Sequence, residues 1–97
     1  MAKIIWSPRA AGDLEEICNF IARDSDHYAR QFALRVVEIV ESLPAFPKSG
    51  RMVPEYQKES LREKIFQNYR IVYRLKNSTI EVVALTHGAR VLEGVEK

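Results

Sequence analysis

The apolar positions of this chain change their spacing once, near residue 60. Before that point they recur every three or four residues, and after it they alternate with polar ones. Leu14, Ile17, Cys18 and Ile21 fall at i, i+3, i+4 and i+7, one face of an amphipathic helix. Ser7 suits its N-cap and Pro8 its first turn, where a missing N–H costs nothing. Ahead of it, Lys3 to Trp6 is a short β-prone run. Asp24-Ser25-Asp26 breaks the helix and supplies a new cap. A second stripe follows, through Ala29, Phe32, Val36, Ile39, Val40 and Leu43, and Pro44 ends it. Two helices joined by so short a turn pack as an antiparallel hairpin.

From Pro44 to Ser60 the periodicity is lost. Pro44, Pro47, Pro54 and Gly50 mark an ordered loop, and loops of this length in small domains often carry function. Leu61 to Phe66, Tyr69 to Leu75 and Thr79 to Thr86 then read as three strands, turned by Gln67-Asn68 and by Lys76-Asn77-Ser78. The expected fold is α+β: an N-terminal strand and an antiparallel two-helix hairpin, packed on an antiparallel sheet with a three-strand C-terminal meander. Residues 1–97 form a single domain, for this length leaves no room for a second core. Trp6 and the phenylalanines read as core.

Charge adds a polarity to this plan. Residues 1–43 carry five Lys/Arg against seven Asp/Glu, and residues 44–97 carry ten against six. The overall net charge of +2 is too small to establish nucleic-acid binding, so the distribution is the informative feature. Strand alternation separates Tyr69, Ile71, Tyr73 and Leu75 from Arg70, Val72 and Arg74, and Ile80, Val82 and Ala84 from Glu81, Val83 and Leu85. If the helices cover one face, the other gathers Arg62, Lys64, Arg70 and Arg74, with Arg51 and Arg90 at its rim. Such a surface fits phosphate or an acidic partner. The plainer alternative pairs these cations with Glu55, Glu63 and Glu81 across strands.

Other chemistry is thin. His87 ends the last strand near the basic row, where a lone histidine is more often a structural hydrogen-bonding residue than a catalyst. His27 is expected to be exposed. No metal site and no cofactor are expected, for there is no cysteine–histidine cluster and no glycine-rich phosphate loop. The lone Cys18, the short apolar runs and the opening Met-Ala-Lys-Ile-Ile-Trp point to a cytoplasmic chain with no membrane association.

Several strings, taken in order, resemble the RelE/ParE superfamily of bacterial toxins. They are Trp6-Ser7-Pro8 with Ala10, Asp13-Leu14 and Ile17; Phe20-Ile21-Ala22 with Asp24-Ser25, Ala29 and Phe32; and Gly50-Arg51-Met52-Val53-Pro54-Glu55. Arg62-Glu63, Tyr69 to Arg74 and His87-Gly88-Ala89-Arg90 complete the set. The flavour is that of the ParE branch, often labelled plasmid stabilisation proteins. This resemblance implies a toxin of a type II toxin–antitoxin system, causing growth arrest and neutralised by a cognate antitoxin. ParE-type members poison DNA gyrase by binding, which is the leading expectation. RelE-type members cleave ribosome-bound mRNA, which is the alternative; a relative that retains only antitoxin binding is a third.

Under the ribonuclease alternative the resemblance makes Arg70, Arg90 and His87 the catalytic candidates. Arg51, Arg62, Lys64, Arg70, Arg74 and Arg90 are the binding candidates under either reading. Cleavage needs a base, an acid and cations over the phosphate. The stretch after Arg90 offers no tyrosine or histidine for the acid, and Glu55 serves as base only if its loop folds inward.

Overall fold

A computed structural model describes residues 2–95. Strand β1 (Lys3–Trp6) leads into helices α1 (Pro8–Ala22) and α2 (Asp26–Ser42). A loop holding the two-residue strand β2 (Arg51–Met52) follows, then β3 (Leu61–Phe66), β4 (Tyr69–Lys76) and β5 (Thr79–His87). Both helix starts are set by hydroxyl caps. Ser7 Oγ accepts from the Ala10 amide at 3.0 Å and Ser25 Oγ from the Tyr28 amide at 3.1 Å, satisfying N–H groups that the first turn leaves free. Proline in the first turn of α1 and Pro44 just past α2 bound the pair.

The five strands form one sheet in the order β1-β5-β4-β3-β2. The meander β3-β4-β5 is antiparallel as expected. The sheet as a whole is mixed, because β1 adds to the outside of β5 in parallel, Lys3 opposite Thr79 through Trp6 opposite Val82. Strand β2, inside the stretch read as loop, extends the other edge by pairing with Glu63 and Arg62.

The apolar stripes of both helices meet one face of the sheet. Ala10, Phe32, Val36 and Val40 bury against Ile71, Val82 and Leu85, and Leu14, Ile17, Cys18, Ile21 and Ile39 pack around them. Phe20 and Phe46, expected inside, are instead 63% and 66% exposed. Phe20 lies on the side of α1 turned from the stripe, and Phe46 sits in the loop after α2.

The opposite face is also buried. Leu61, Val72, Val83 and Ala84 pack under Val53 from the loop and Leu92 and Val95 from the C-terminal segment. A bulge opposite Val72/Tyr73 makes this possible. Val72 pairs with Ala84 but Tyr73 with Val82, so Val83 is the extra residue. Past it the alternation of β5 changes phase. Val82 and Leu85 therefore share the helix face, while Val83 and Ala84 both join the second core. The expected grouping of Ile80, Val82 and Ala84 on one face holds only up to the bulge.

Candidate functional site

Register decides where the basic row goes. Arg62 lies opposite Tyr73 and Lys64 opposite Ile71, on the helix-covered side, whereas Arg70 lies opposite Ile65 and Arg74 opposite Leu61, on the other. Cross-strand partners share a face, so the four cations expected together are split two and two. The face expected to be open and cationic is a second core, and Arg70 stands inside it, 4% exposed.

Around Arg70 the charges form a chain. Its Nε donates to Glu63 Oε1 at 2.6 Å, and its two terminal nitrogens grip both oxygens of Glu55 at 2.7 and 2.8 Å. A fourth bond reaches the Arg90 carbonyl at 3.1 Å. Glu63, whose side chain is fully buried, accepts from Arg51 Nε at 2.6 Å on its other oxygen. Two carboxylates and two guanidiniums thus neutralise one another, Arg70 and Glu63 inside the fold and Arg51 from its surface. A buried charge is tolerated only in such company. The bidentate Arg70 grip holds the Glu55 carboxyl down at about 2, with the Leu92 amide helping at 2.9 Å. The same carboxylates, Glu55 first, push the Arg70 guanidinium further up. The loop does fold inward, as a base at Glu55 would require, but a carboxylate so stabilised is a weak base.

Two of the four remaining candidate cations are engaged as well. Arg62 is buried and donates to the Gly50 carbonyl at 2.8 Å and to the Glu59 carbonyl and carboxylate at 3.0 and 2.9 Å. That contact with Arg62, aided by Lys48, lowers the Glu59 carboxyl. Arg74 holds the Val95 carbonyl at 2.7 Å and lies 3.8 Å from Glu81. Among the described residues, the side chains of Lys64 and Arg90 alone of the six candidates have no ion pair or hydrogen bond. Pairing with Glu55, Glu63 and Glu81, the plainer alternative, accounts for Arg51, Arg70 and Arg74.

The loop ahead of this chain is locked from beneath. The Gly50 amide donates to the Tyr73 hydroxyl at 3.0 Å, and that hydroxyl donates to the Pro47 carbonyl at 2.7 Å. Burial raises the Tyr73 phenol, consistent with its part as a fixed hydrogen-bonding post. A Cβ at Gly50 would stand 2.5 Å from the Glu63 carbonyl oxygen, so only glycine fits beside Arg51.

The C-terminal segment, residues 88–95, is held by its main chain. Besides Arg70 on the Arg90 carbonyl and Glu55 on the Leu92 amide, Tyr56 donates to the Leu92 carbonyl at 3.2 Å. Arg9 donates to the Glu93 carbonyl at 2.7 Å and Arg74 to that of Val95. Sequence reasoning did not find this role for Arg9, Tyr56 and Arg74. Its only trace in the sequence is the pair Leu92 and Val95, the apolar plugs that the side-chain bonds seat.

His87 and Arg90 are exposed where β5 ends. The His87 ring meets Tyr69 edge to face at 5.7 Å, and its Nδ1 accepts from the Ala89 amide at 3.2 Å. Arg70, the third catalytic candidate, presents its nitrogens to Glu55, Glu63 and the Arg90 carbonyl instead of to this surface. No group of three His, Cys, Asp or Glu able to hold a metal ion occurs among the described residues, and no described helix is long and apolar enough to cross a membrane.

Comparison with known proteins agrees with this architecture. Toxin RelE2 of Caulobacter vibrioides is 30% identical over 90 residues, covering 93% of this chain and 99% of that protein. Among solved structures, the chromosomal ParDE toxin–antitoxin system of P. aeruginosa superposes with a TM-score of 0.74 at 20% identity, covering 90% of this chain and 96% of that one. A YoeB/ParE toxin from Agrobacterium tumefaciens gives 0.57 at 21% identity, with 88% and 96% covered. The family model for the ParE toxin of the type II toxin–antitoxin system parDE matches residues 4–92, nearly the whole sheet and both helices. The chain therefore belongs to the ParE toxin family.

Proposed function

We propose that this toxin acts by binding, with DNA gyrase as its target and a cognate antitoxin as the protein that neutralises it. The observation that carries the reading is the state of Arg70. A phosphate-handling arginine must present free N–H groups to the scissile phosphate. Arg70 spends its donors on Glu55, Glu63 and the Arg90 carbonyl, inside a core and beside two negative charges. An incoming phosphate meets carboxylates there, not a cationic floor.

Purified toxin should stop supercoiling of relaxed plasmid by gyrase at a modest molar excess, and equimolar antitoxin should restore it. Unaltered supercoiling at large excess, together with cleavage of translated mRNA in cells expressing the toxin, would overturn this reading. The ribonuclease alternative retains one supporting observation, the exposure of Arg90 and His87 side by side at the end of β5. Under it, wild type cleaves translated mRNA in expressing cells and Arg90→Ala and His87→Gln leave it intact; under the binding mechanism, message is equally intact with wild type and with both variants.

A further inference from the structure

Helix α2 buries one side and leaves another in water. Ala29, Phe32, Val36 and Val40 are its buried residues. Positions 30, 34, 37 and 41, at i, i+4, i+7 and i+11, form a stripe on the side turned from them. Leu34 is 60% exposed and Val37 36%, although both are aliphatic. Arg30 and Glu41 are exposed at the two ends of the stripe, and among the described residues neither makes a hydrogen bond or ion pair. The neighbouring charges round the helix, Arg35 and Glu38, are by contrast engaged with each other at 2.6 Å. A solitary exposed leucine is ordinary. This stripe has an order that a solitary residue lacks.

The order is cation, leucine, valine, anion, and its spacing is symmetric about the point midway between positions 35 and 36. Turning the helix end for end exchanges Arg30 with Glu41 and Leu34 with Val37. A second α2 laid antiparallel on the first therefore sets Leu34 of each copy against Val37 of the other. The same placement sets Arg30 of each against Glu41 of the other, so both ends close on opposite charges. A parallel placement brings arginine to arginine and glutamate to glutamate, which is repulsive at both ends. Contacts that repeat in this reciprocal way are those of a two-fold dimer.

We propose that the toxin free of other partners self-associates through this stripe, α2 packing antiparallel on α2 of a second copy of the chain. Leu34 and Val37 supply the apolar centre. The two Arg30–Glu41 pairs fix direction and register, as charges flanking a helix seam do. From Arg30 to Glu41 the stripe spans about 16 Å of one helix. The contact therefore stands at the low end of specific interfaces, below roughly 1,200 Å² of buried surface, and it is weak and reversible. The helices cover one face of the sheet, so the opposite face, with Arg70 and residues 88–95, points outward in both copies. The pairing does not depend on whether gyrase is the target.

Sedimentation velocity on the full-length toxin, loaded from roughly 10 µM to 1 mM to cover weak association, tests this. The expected result is a sedimentation coefficient that climbs with concentration from monomer toward dimer. Leu34→Glu should abolish the climb with an unchanged melting curve, since that side chain already stands largely in water. Arg30→Glu and Glu41→Arg should each weaken association by about ten-fold, because each creates two like-charge contacts per dimer. Both exchanges in one chain should restore most of the lost affinity, a recovery that general changes in charge or stability do not produce. A double exchange no stronger than the single ones would overturn the proposal, as would a dimer that Leu34→Glu leaves intact. A monomer at every concentration would overturn it too, and amide shifts at positions 34 and 37 on adding the cognate antitoxin would then assign the stripe to that protein.

Discussion

Replacing Arg70 by methionine separates a structural cation from a functional one. The substitution keeps much of the volume and removes four hydrogen bonds, three of them to carboxylates. Glu63, with no exposed side-chain surface, then retains only Arg51, whose side chain is 60% exposed and so a solvent-screened partner. Glu55 keeps the Leu92 amide and 24% of its side-chain surface in water, so it relaxes more cheaply. Breaking a buried pair by removing one member costs about 3–5 kcal/mol, because the charge left behind is uncompensated. A domain of this size has roughly 5–15 kcal/mol in total, so the variant should lie near the edge of folding. At roughly 4–8 °C per kcal/mol, melting should fall by about 12–40 °C.

Urea unfolding of wild type, Arg70→Met, Glu63→Leu and the double variant completes a cycle. The double variant should be more stable than Arg70→Met alone, since it removes the stranded carboxylate together with its partner. Arg90→Ala is the control. Arg70 contacts its carbonyl and not its side chain, so the change should stay within about 0.5 kcal/mol, as at ordinary surface sites. Arg70→Met unfolding within about 1 kcal/mol of wild type, with loss of toxicity, would refute the reasoning and return Arg70 to the functional column.

Three further outcomes follow from neighbouring contacts. Gly50→Ala should lose about 1–3 kcal/mol in denaturant unfolding, since its Cβ meets the Glu63 carbonyl oxygen at 2.5 Å and the Tyr73 hydroxyl at 2.7 Å. Tyr73→Phe should lose about 1–3 kcal/mol by the same measurement, because the Gly50 amide and Pro47 carbonyl are left without their shared partner. Glu55 titrates in the fold at about 2, below its ordinary 4.5. Its contribution is therefore fully present above the ordinary value and lost as pH falls from there through about 2. Urea midpoints should decline across that window, and Glu55→Gln, starting lower, should decline less steeply; parallel curves would count against the assignment.

The helices were legible because their information is local. Ser7-Pro8, Ser25 and Pro44 announce the ends, and periodicity announces the buried stripe. The sheet's two faces were not, because they depend on one inserted residue. The bulge at Val83 reverses inside and outside for the rest of β5. Register likewise separates Arg62 from Arg70, although simple alternation within each strand is correct. Strand β2 is two residues long and leaves no local pattern; β1 was legible as a β-prone run, but its parallel pairing with a strand more than seventy residues away was not. The identities of the acidic partners were legible, since Glu55, Glu63 and Glu81 are the carboxylates near the basic row. That Glu63 would be fully buried was not, because burial there comes from the loop and from Leu92 and Val95 closing over the face.

The C-terminal segment has a consequence for how freely its sequence can vary. The body grasps it through the carbonyls of Arg90, Leu92, Glu93 and Val95 and the amide of Leu92, groups that nearly every residue type supplies. Shape is demanded only of Leu92 and Val95, which plug the core, and of Gly94, whose φ of +79° suits few other residues. Positions 90, 91 and 93 face outward on a backbone fixed by others. They can be exchanged wholesale while the fold stays put, so this toxin carries a short, rigidly mounted stretch whose surface chemistry is open to redesign.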